Sequence, residues 1–161
     1  MSEKARLRKY EDDLNVSGAG VIILGIWSIV KVLIIVFIEA KDYVDFKDEE
    51  PAVRIISMIL LVLLIAVISF IVMKVHLYIG LNAMRAAKGM EYKKGYFTAT
   101  VIILILAVLS LILYKDSFKN IDKIDSTIAS VIVDLTTIYI YAVVIMSTKK
   151  IKEFKTGEKG E

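Results

Sequence analysis

The sequence predicts an all-α fold: an integral membrane four-helix bundle, up-down-up-down, with its N- and C-termini cytoplasmic. Three observations carry that reading. The chain of 161 residues is 57% hydrophobic with mean hydropathy +0.68, too apolar for a soluble domain of its size. Its apolar residues collect into four runs, at about 16–38, 52–76, 95–114 and 126–148, each long enough to cross a hydrocarbon core of roughly 30 Å. The runs are also apolar all round rather than along one stripe, as a helix surrounded by lipid must be. They take up most of 1–161, so the chain is expected to form a single four-span transmembrane domain without a separate soluble one.

The pieces follow in order. Residues 3–14 are expected to form a short amphipathic arm on the inner membrane surface, because Leu7, Tyr10 and Leu14 share one side of a helix and charges take the rest. Lys4, Arg6, Arg8 and Lys9 precede the first run as in a signal peptide. The run is too long for a signal core, and no small-residue cleavage site follows it. It reads as a retained span. Within it, Gly18, Gly20 and Gly25 would let a neighbouring helix approach closely. Pro51 suits the first turn of the second helix. That helix is expected to run past the membrane to Lys88 and stop at Gly89 as a C-cap. The third run carries Tyr96, Thr100, Ala107, Ser110 and Tyr114 along one side, a pattern that reads as helix packing with tyrosines at the interfaces. The lysine-rich tail, 149–161, extends the fourth helix until Gly157 and Gly160 let it fray.

Charge sets the expected orientation. The arm, the second connection and the tail hold fourteen basic residues, against six for the first and third connections with Arg54. Basic residues mark the cytoplasmic side and acids contribute little. The connection 39–51, with six acids from Glu39 to Glu50, is therefore expected outside.

Two charges interrupt the runs. Lys31 lies eight residues before Glu39, and Asp134 eight residues after Ser126. At 1.5 Å per residue, each sits roughly 12 Å inside the outer boundary. Equal depth and opposite sign predict a pair between the first and fourth helices, since either charge alone there costs on the order of 3 kcal/mol. Ser126, Ser130, Asp134, Thr137 and Tyr141 share one face of the fourth helix. A polar stripe of that kind must face protein or a water-filled cavity. The structural reading, a clasp that sets which helix faces which, is preferred. Snorkelling of Lys31, and a protonatable relay or a site for a charged ligand, are the alternatives.

Other polar residues say less. His76, the sole histidine, stands between Lys74 and Tyr78 and is expected as an interfacial anchor, with Arg85 a weaker interfacial candidate. Without cysteine or a second histidine, neither a thiolate nor a histidine-pair metal site is expected, and no cofactor is called for. No Ser/His or two-carboxylate constellation points to an enzyme. The acidic run Asp42 to Glu50 lacks the alternate-residue spacing and central glycine of a calcium loop.

The expected function is accordingly non-enzymatic: a scaffold or an accessory, regulatory membrane subunit. A small transporter or channel subunit using the Lys31/Asp134 polar face is the alternative. Multidrug exporters of this topology would carry an acid in the first span, where this chain has Lys31. Expected partners are membrane lipid and a membrane protein or second copy. Nucleic acid is not expected, because orientation already accounts for the basic residues. The Ile- and Lys-rich, cysteine-free composition is compatible with a bacterial plasma membrane protein.

Overall fold

The computed structural model describes residues 2–43, 51–113 and 124–157, with side chains described at 2–34, 52, 53, 55–112 and 131–156. These residues form four helices and no strand: α1 (Glu3–Tyr43), α2 (Pro51–Ala87), α3 (Gly95–Leu113) and α4 (Ile124–Gly157). All four are long and apolar enough to cross a membrane, which makes the chain a multi-pass membrane protein by length and composition.

The N-terminal arm is not a separate element. Helix α1 runs unbroken from Glu3 to Tyr43, and the reason is phase. Leu7, Tyr10 and Leu14 continue at three- and four-residue steps into the buried face made by Gly18, Val21 and Gly25, so a single helix keeps one face inward throughout. Tyr10 meets Phe154 of α4 with ring centroids 6.2 Å apart. Beside it, Glu11 lies 3.8 Å from Lys155. The arm therefore packs on the end of α4 instead of lying apart on a lipid surface.

Pro51 opens α2, where its missing N–H costs nothing. At the far end, the N–H of Met90 donates to the Arg85 carbonyl at 2.9 Å and that of Gly89 to Ala86 at 3.2 Å. Gly89 takes φ +68°, so the helix closes in a Schellman cap. Asn82 then braces the following turn. Its side-chain N–H donates to the Tyr78 carbonyl at 2.7 Å, and its Oδ1 accepts from the N–H of Lys93 at 2.8 Å.

Helix α1 packs most extensively on α2 and next on α4, while α3 lies chiefly against α4. Small residues set the α1–α2 distance. A Cβ at Gly80 would stand 2.5 Å from the Gly18 carbonyl oxygen, and one at Gly25 would stand 2.6 Å from the His76 Cβ. Residue numbers thus climb along α1 as they descend along α2. Gly20 instead faces α4, where a Cβ would meet Ile140 at 3.3 Å. The packed core gathers at one end of the bundle, around Leu14, Val21, Ile79, Ala83, Tyr141 and Val144. Toward the other end, α2 from Ile55 to Ile71 is exposed on most sides. Only Ser57, Leu61, Ile65 and Ser69, at four-residue steps, are half-buried there.

Two glycines separate crowding from backbone strain. Gly80→Val forces α1 and α2 apart and is expected to cost about 1–3 kcal/mol. Gly89→Ala meets no atom within 4 Å but must hold a left-handed conformation, at about 1–2 kcal/mol. Thermal unfolding of the purified protein in detergent measures both. A Gly80→Val protein as stable as the wild type would refute the close crossing.

Candidate functional site

Asp134 stands where α1, α3 and α4 meet. Lys31 Nζ of α1 lies 3.8 Å from Asp134 Oδ1, within ion-pair range but long for a hydrogen bond. On the other side, Ser110 Oγ of α3 lies 3.0 Å from Asp134 Oδ2. The same hydroxyl is 2.8 Å from the Ala107 carbonyl, so its single hydrogen serves one acceptor at a time. The side chains of Lys31 and Asp134 are 29% and 16% exposed. The acid is thus the better enclosed partner, held from both sides.

Other hydroxyls near this level turn back on their own helices. Ser28 Oγ donates to the Leu24 carbonyl at 2.9 Å, and Thr137 Oγ1 to Val133 at 2.8 Å. Such bonds satisfy each donor locally in apolar surroundings. Thr137 is half-buried and Tyr141 fully buried. The side chains of Ser126 and Ser130 lie outside the described residues, as do residues 44–50 of the acidic connection, and Tyr114.

His76 does not sit at a surface. It is buried, with its Cβ against Gly25 and its ring edge-on to Tyr141, centroids 6.3 Å apart. Its Nδ1–H donates to the Val72 carbonyl at 2.8 Å, since a carbonyl can only accept. The expectation of an interfacial anchor fails for a steric reason: Gly25 leaves room on α1 for the imidazole. Among the described residues, Tyr141 Oη is buried and meets no hydrogen-bond partner, which costs about 1–3 kcal/mol of unmade bonding. Arg85 lies exposed in the last turn of α2.

A second polar contact, between α3 and α4, is not foreshadowed by any local pattern in the sequence. Thr148 Oγ1 donates to the Val144 carbonyl at 2.6 Å. The Tyr96 hydroxyl, 2.8 Å away, therefore donates to Thr148. Tyr96 and Ser110 are fourteen residues apart on α3, and Thr148 and Asp134 fourteen apart on α4. At 1.5 Å per residue, two polar contacts roughly 21 Å apart pin these helices in one register. Tyrosines near a helix end read as interfacial, so the only available signal was the matching fourteen-residue interval.

Among the described residues, no three His, Cys, Asp or Glu side chains gather as metal ligands. Comparison with protein-family models, with curated proteins and with solved structures finds no match to this chain. The arrangement itself can hold helices together and place one acid, one amine and a hydroxyl at a common level.

Removing one partner of such a pair leaves an uncompensated charge, whereas replacing both by apolar groups is close to neutral. Asp134→Asn is therefore expected to lower stability by about 3 kcal/mol, and the double change Lys31→Met with Asp134→Leu by less. Chemical or thermal unfolding of the three proteins decides it. A double variant less stable than Asp134→Asn would rule out a clasp.

Proposed function

We propose that this chain is a non-enzymatic scaffold or accessory subunit of the cytoplasmic membrane. In this reading the helices pass up-down-up-down, both termini are cytoplasmic and the connection 39–51 faces outward. Support for the alternating passage comes from contact order: Gly18 meets Gly80 while Gly25 meets His76, and Tyr96 meets Thr148 while Ser110 meets Asp134. Support for the orientation is the excess of basic residues on the arm, the second connection and the tail.

The observation that favours a structural role is the sharing of Asp134 between Lys31 and Ser110. A carboxylate engaged from two helices is already neutralised and hydrogen-bonded, which suits a fixed joint better than a group that must exchange a proton or ion. Lipid covers the outward apolar surface in this reading, and a membrane protein or second copy is the partner served.

A second reading, a small transporter or channel subunit, draws on one feature. The Tyr141 hydroxyl lies on the same face of α4 as Asp134 and has no partner among the described residues. A hydrated path past Lys31, Asp134, Thr137 and Tyr141 would supply one.

The absence of cysteine makes orientation simple to measure. Single cysteines in place of Ser2 and Lys88 are expected to react with an impermeant thiol reagent only after the cytoplasmic face is opened, and one in place of Asp45 in intact cells. The reverse pattern overturns the orientation. Gentle purification is expected to recover a partner or homo-oligomer. Flux of ions or solutes in vesicles holding folded protein, lost in Tyr141→Phe, would instead select the transporter.

A further inference from the structure

Where α2 turns into α3, two adjoining cavities of about 640 Å³ and about 520 Å³ share Tyr92, Tyr96, Thr148 and Lys152 in their linings. Lys94 and Lys149 line the second, beside Phe97. Among the described residues, no acidic side chain lines either one. Two nearby acids are already engaged, Glu153 with Lys150 at 2.8 Å and Glu11 with Lys155 at 3.8 Å, while Glu91 of the connecting turn is exposed and lines neither cavity. Among the described residues, Lys94, Lys149 and Lys152 make no ion pair. The shared wall is a built one, since Tyr96 is buried and bonded to Thr148 and Tyr92 meets it edge-on at 5.6 Å.

The surroundings divide by polarity along the helix axes. Lysines occupy the end, tyrosines come next, and outward-facing Ile102, Ile105 and Met146 follow one to three turns along α3 and α4. A ligand that matches this order has an anionic head, a polar shoulder and an apolar tail. We propose that this hollow is a specific site for an anionic phospholipid. Its phosphate lies among Lys94, Lys149 and Lys152, its glycerol region lies against Tyr92, and its acyl chains lie along α3 and α4. This rests on the membrane reading above, and it turns a general attraction of basic residues for anionic lipid into one site with named walls.

Full-length protein in detergent, titrated with phosphatidylglycerol or phosphatidylcholine of matched chains and read by native mass spectrometry, tests it. Wild type is expected to retain phosphatidylglycerol in preference. The triple variant Lys94→Gln, Lys149→Gln, Lys152→Gln should bind it about tenfold more weakly or worse, while Lys4→Gln, Arg8→Gln, Lys9→Gln, an equal charge change on the arm, shifts it less than about threefold. Equal losses in both triples would leave only diffuse attraction and overturn the site, as would equal retention of the two lipids. Displacement of the lipid by inorganic phosphate at matched concentration would assign the hollow to a soluble anion. Should the triple variant misfold, the lipid preference of wild type and of Lys149→Gln alone decides. Alkaline extraction of membranes separates the two claims: protein that stays inserted yet shows no preference refutes the site, and protein that is extracted refutes the membrane reading.

Discussion

A carboxylate in apolar surroundings cannot be left alone, and the arrangement of three of the four helices answers that constraint at Asp134. The amine comes from α1 and the hydroxyl from α3, so neither helix can rotate or slide without uncovering the charge. Helix α4 is held again near its other end, by Phe154 against Tyr10 and by Thr148 against Tyr96. Apolar packing alone gives little direction between helices in lipid, whose tails are as apolar as leucine. The polar contacts supply the direction, and small residues supply the closeness.

Closeness is concentrated between α1 and α2. Gly18 and Gly80 place backbone against backbone, and Ala83, Ala86 and Ala87 continue a low surface along α2. The same crossing shelters His76, whose imidazole needs the space that Gly25 leaves. The buried end of the bundle is thus built from backbone contact and the opposite end from charge.

Much of the fold is legible in the residues. Four runs apolar all round leave no alternative to four helices, Gly89 marks its own stop, and counting from the ends of the runs sets Lys31 level with Asp134. What was hidden has a common cause: periodicity tells which residues share a face but not which neighbour covers it. His76 looks interfacial from Lys74 and Tyr78 beside it, yet adjacent residues on a helix point in different directions. Ser110 looks like a packing residue until the approach of α4 gives it an acid to meet. Tyr96 and Thr148 stand fifty-two positions apart, and no local pattern joins them. The arm is ambiguous for another reason: a stripe of three apolar residues suits a lipid surface as well as a helix partner, and only its phase with Val21 points to the partner.

The uneven distribution of polarity among the helices also bears on how such a chain is made. Helix α2 is clothed in isoleucine, leucine and valine along its exposed length, and can leave a translocation channel for lipid on its own account. Helix α4, with Asp134 and its row of hydroxyls, is a poorer passenger. It is also synthesised after the other three described helices, when Lys31 and Ser110 have both been delivered. Chain order therefore matches electrostatic need: the segment least able to enter the bilayer alone arrives when its two chaperoning neighbours are already waiting.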